Sequence, residues 1–96
     1  MKFNKKFLIT LENPKADRLG VKAYRYKTCP VVESEELFRG DMMHIVSFRK
    51  KDCRACLSKE ELYGILDTLG MRRDGTMKME ETFSGNTVYF MQPLAS

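Results

Sequence analysis

Ser58-Lys59-Glu60-Glu61-Leu62-Tyr63-Gly64-Ile65-Leu66-Asp67-Thr68-Leu69-Gly70 is the stretch that decides the fold of this 96-residue chain. Ser58 and Glu61 stand at capping-box spacing, where each side chain can satisfy the other's unpaired backbone N–H. Leu62, Ile65, Leu66 and Leu69 then recur as one apolar stripe, and Gly70 suits the position after a helix that takes a positive φ. The spacing predicts an amphipathic helix over 59–69. Its outward positions include Lys59, Glu60, Tyr63, Gly64, Asp67 and Thr68, and two acids there make a poor major-groove recognition helix. A helix with one apolar stripe must bury it, so the flanking segments have to supply a sheet.

Those segments alternate as strands do. Phe7, Ile9 and Leu11 predict a first strand over about residues 5–12. Val21 to Thr28 predicts a second, with Lys22, Tyr24 and Tyr26 on one side and Val21, Ala23, Arg25 and Lys27 on the other. Met42 to Phe48 predicts a third. Asp74-Gly75 and Ser84-Gly85-Asn86 frame a closing hairpin, with strands about Met77–Met79 and Thr87–Met91 and Pro93 at its end. Ser34-Glu35-Glu36-Leu37-Phe38-Arg39-Gly40 carries helix signals, a cap, acids in the first turn and a stopping glycine, and predicts a short helix over 35–39. The expected fold is a small α+β domain, residues 1–96 forming one compact unit. An antiparallel or mixed sheet of about five strands carries the 59–69 helix on one face, with the short 35–39 helix beside it.

Composition narrows the function classes. The chain is 43% hydrophobic and 31% charged, a globular rather than a disordered balance. Its net charge of +4 is unevenly spread. Residues 1–30 hold eight basic and two acidic side chains, residues 31–41 one basic and four acidic, and residues 49–54 four basic and one acidic. Separated signs can steer a charged partner to one side of the molecule. The apolar run Phe7-Leu8-Ile9 is too short for a signal-peptide core, and no stretch approaches a membrane span, so a cytoplasmic protein without a membrane partner is expected. Three cysteines, an odd number, argue against a secreted disulfide framework.

The functional question centres on Arg49-Lys50-Lys51-Asp52-Cys53-Arg54-Ala55-Cys56, a basic run ending in a CxxC. Cys53 and Cys56 have the bite of half a zinc site, and Cys29 and His44 are the ligands that would complete a Cys3His set. His44 shares a strand face with Met42, Val46 and Phe48, which favours a hydrogen-bonded histidine at the edge of the core. A dithiol reading has helix-dipole and Lys51/Arg54 support for a thiolate, but four charged residues separate strand from cysteine. A Cys–His nucleophile pair would need a thiol to meet His44, and no spacing requires it. Glu35, Glu36, Glu60 and Glu61 fall in predicted first helical turns, where capping accounts for them. Glu80 and Glu81 alternate across a strand, a poor arrangement for paired acid–base work. With no Walker A, dinucleotide-binding or HExxH pattern, a non-enzymatic protein without catalytic residues or cofactor is expected.

Two binding readings follow. The first is protein binding by a small adaptor, inhibitor or host-modulating accessory protein of the kind a phage or mobile element carries. Arg49, Lys50, Lys51 and Arg54 form its basic connector, Glu35 and Glu36 an acidic patch, and a hairpin edge offers a route to a homodimer. The second is nucleic-acid binding, with Tyr24 and Tyr26 as a stacking platform beside Lys22, Arg25 and Lys27 and the basic run on phosphates. Against it stands a structural role for the two tyrosines, covering the core beneath the main helix with Arg25 and Lys27 outside.

Overall fold

The structure, a computed structural model, describes residues 8–10, 21–26, 29–51 and 58–94. In chain order its elements are β1 (Leu8–Thr10), β2 (Val21–Tyr26), β3 (Cys29–Phe38), β4 (Asp41–Arg49), α1 (Lys59–Thr68), β5 (Lys78–Glu81) and β6 (Thr87–Pro93). The six strands form one sheet in the order β1-β2-β3-β4-β6-β5, antiparallel throughout. The predicted class holds: an α+β domain whose antiparallel sheet carries one packed helix.

The short helix predicted over 35–39 is instead the second half of β3, which raises the strand count. Eight consecutive residues of β3, Val31 to Phe38, pair with Phe48 to Asp41 of β4. A five-residue helix cannot repay its nucleation cost, whereas the ladder adds partners at every step. The two strands are joined by Arg39-Gly40, both at positive φ (52° and 87°). Two such residues make the turn whose twist matches a hairpin, so Gly40 reverses a strand rather than ending a helix. Glu35 and Glu36 consequently point to opposite faces, and the predicted acidic patch is split.

Register assigns the two faces, because facing residues in antiparallel strands share a side. On one side Tyr26, Val31, Val46, Phe48 and Phe90 are buried against Ile65 and Leu66 of α1. Phe48 and Phe90 meet edge to face with centroids 5.9 Å apart, a favoured aromatic geometry. On the other side Met43, Ile45 and Met91 make a smaller cluster flanked by Phe38 and Tyr89.

Local chemistry builds α1 as predicted. Glu61 N–H donates to Ser58 Oγ, and Ser58 N–H donates to Glu61 Oε1, each at 3.1 Å. At the other end Met71 N–H reaches Leu66 C=O (2.9 Å) and Gly70 N–H reaches Asp67 C=O (3.1 Å). Gly70 takes φ 91° to allow this closure, and Met71 and Leu66 are both buried in the core. The chain then turns through Asp74-Gly75, where Thr76 donates to the Asp74 carboxylate from backbone and hydroxyl. Those bonds, with Arg72 beside them, hold the exposed Asp74 carboxyl down at about 2, from its ordinary 3.8. Among the described residues no helix is long and apolar enough to cross a membrane.

Candidate functional site

Those of the residues singled out from sequence that the structure describes do not form one site. Tyr26 has no exposed surface, and its hydroxyl donates to Glu61 Oε2 at 2.6 Å, fastening β2 to the first turn of α1. Its ring therefore cannot serve as a stacking platform, which corrects that part of the nucleic-acid reading. Tyr24 packs half-buried against the same core and donates to Glu33 Oε1 at 2.9 Å. Desolvation, the bond to Glu33 and that carboxylate's charge push the Tyr24 phenol up to about 12. Lys22 and Arg25 are exposed on opposite faces of β2, while Lys27 lies outside the described residues.

His44 sits at the edge of the core, as expected, with Nε2 2.7 Å from Glu33 Oε2. Glu33 thus binds Tyr24 with one oxygen and His44 with the other. Lys22 and Glu35 complete the rim of a shallow depression of about 120 Å³. Cys29 is fully buried beneath α1. Because His44 pairs with Glu35, Cys29 lies six strand positions away, a separation of about 20 Å along β3. One zinc ion cannot bind both, so the set Cys29, His44, Cys53 and Cys56 is not a metal site, and Cys29 cannot serve as His44's nucleophile. Cys53, Arg54 and Cys56 lie outside the described residues.

What the structure does gather is at the opposite end of β6. The β5–β6 turn, residues 82–86, is closed by Thr82 N–H to Thr87 C=O (2.9 Å) and Gly85 N–H to Thr82 C=O (2.8 Å). Thr82 Oγ1 also accepts from the Asn86 and Thr87 N–H groups, each at 3.2 Å. Phe83, at the crest of this bonded turn, is fully exposed. The end of β4 is tied to the same turn, since Lys50 N–H donates to Asn86 C=O at 2.8 Å. Arg49 pairs with Thr87 in register, Lys50 Nζ bridges both Glu81 oxygens at 3.1 Å, and Lys51 is exposed. An apolar ring and three consecutive cationic residues thus share one end of the sheet.

Arg72 and Arg73 do not extend this patch. Arg72 bonds Asp74 and the Pro93 carbonyl near the far end of β6, six positions and about 20 Å from the Arg49 row. Arg73 makes a two-bond pair with Asp67 and lies 4.7 Å from the Tyr63 ring centroid. Phe83 is the residue that sequence reasoning missed. Its signal was present: an aromatic directly before Ser84-Gly85-Asn86, at a turn position where strand alternation has no use for it. Comparison with protein-family models, curated proteins and solved structures finds no match to this chain.

Proposed function

We propose that this chain is a small non-enzymatic binding protein that docks onto another protein through its β5–β6 tip. Phe83 is the apolar anchor, and Arg49, Lys50 and Lys51 are the basic flank that meets an acidic rim around the partner's pocket. The observation that carries this reading is the full exposure of Phe83 on a turn held by its own hydrogen bonds. Burying a phenylalanine is worth about 2–3 kcal/mol, so presenting one on a fixed turn leaves that stabilisation to be gained on association. Anchors of this type, aromatic and prepaid in conformational entropy, dominate interface energetics. A basic flank speeds encounter with an acidic surface more than it tightens the complex.

Nucleic-acid binding is the second reading, and Phe83 beside three cationic residues is the observation in its favour. It is weaker because Tyr26 is buried and Glu81 sits on Lys50, within the track a phosphate chain would follow. A photo-crosslinking residue placed at position 83, used in native lysate with and without nuclease, tests both. A discrete protein adduct that survives nuclease, competes away with untagged protein and is lost with Lys51→Glu supports protein docking. An adduct abolished by nuclease transfers the tip to nucleic acid, and no adduct at all removes the tip as a site.

A further inference from the structure

We infer that β5 is a self-recognition edge, through which two copies of this chain join antiparallel about a two-fold axis at Met79. β5 ends the strand order, and no described strand lies beyond it. Lys78, Met79 and Glu81 are exposed, Met79 by 62%. The hydrogen-bond phase of the hairpin shows which groups are unspent. Thr82 N–H bonds Thr87 C=O, so the alternation of an antiparallel ladder makes Glu80/Tyr89 and Lys78/Met91 the bonded pairs. The backbone N–H and C=O of Met79 and Glu81 therefore point away from β6, toward whatever joins the edge.

A two-fold axis perpendicular to the sheet pairs residues of like parity, because facing side chains must lie on one side. With the axis at Met79, Met79 faces its own copy, and Lys78 faces the partner's Glu80 in two equivalent pairs. With the axis one position on, Glu80 would face Glu80, and like charges directly opposite are destabilising. Charge therefore selects the Met79 register. Among the described residues neither Lys78 nor Glu80 has an ion-pair partner within one copy, whereas Glu81 is held by Lys50. Edge strands that avoid self-pairing place charges so that copies repel. The charges of β5 are placed so that copies attract. A four-residue edge gives a weak, concentration-dependent dimer.

This inference is independent of the docking role of Phe83. Sedimentation equilibrium of the purified chain, from low micromolar to near-millimolar concentration, should show a reversible monomer–dimer equilibrium. Lys78→Glu and Glu80→Lys should each weaken it by on the order of tenfold, since each reversal converts two attractive pairs into repulsive ones. The combined variant restores the pairs with their signs exchanged and should return the wild-type constant. Met79→Pro removes the outward N–H while sparing the β5–β6 ladder, and should leave a folded monomer by circular dichroism. A chain that stays monomeric throughout, a dimer indifferent to Met79→Pro, or single reversals the double variant fails to rescue would each overturn the proposal. Phe83→Ser should leave the dimer unchanged; its loss would put the contact at the tip and overturn the edge.

Discussion

Gln92 shows what a single buried amide can hold together. It has no exposed surface, yet its Oε1 accepts from Arg72 N–H at 2.8 Å while its Nε2 donates to Arg72 C=O at 2.7 Å and Thr76 Oγ1 at 2.8 Å. The loop leaving α1 is thereby clamped to the last strand. Gln92→Ala leaves the Arg72 backbone groups without partners and should cost roughly 1–3 kcal/mol, seen as a lower urea midpoint at unchanged slope. Tyr24 makes a prediction of another kind. Its phenol is raised from 10.0 to about 12, so above pH 10 the unfolded chain loses this proton while the folded chain keeps it. Stability is whole below pH 10 and falls as pH rises toward 12. The phenolate absorbance of wild type minus Tyr24→Phe should show a step centred near 12, and a step near 10 would mean that the ring is neither desolvated nor bonded to Glu33.

At the scale of elements, α1 and the β3–β4 hairpin show why some structure was legible and some was not. Every determinant of α1 is local: a reciprocal cap, a stripe at helical spacing, a glycine at its exit. The signals at Ser34-Glu35-Glu36 were of the same kind and pointed to a helix. What overruled them was the match between residues 31–38 and residues 41–48, a property of two segments at once. Arg39-Gly40 was the readable clue, since glycine in a two-residue connection between apolar runs serves a hairpin as well as a helix end. Gly40→Val places a β-branched residue at φ 87° and should destabilise the protein by about 1–2 kcal/mol in chemical denaturation. The site followed the same division. Its basic run could be read from neighbouring residues, but the burial of Tyr26 depends on Glu61, 35 positions away, and the exposure of Phe83 on no described residue packing over the turn.

Over the whole molecule, the order β1-β2-β3-β4-β6-β5 places the basic-aromatic end and the Gln92 clamp at opposite ends of one strand. Binding at the tip is therefore separated from the joint that secures α1. Destabilising the joint and blunting the tip should be additive, as changes at distant sites are. The same order has a consequence for how the chain is made. β6, the last of the described elements to leave the ribosome, is inserted between β4 and β5. Until it arrives, β4 is an open edge, Phe48 and Val46 lack Phe90, and the loop after α1 lacks its clamp. Until β6 is made, β4 is thus paired on its β3 side alone, the stage at which a chaperone would find it.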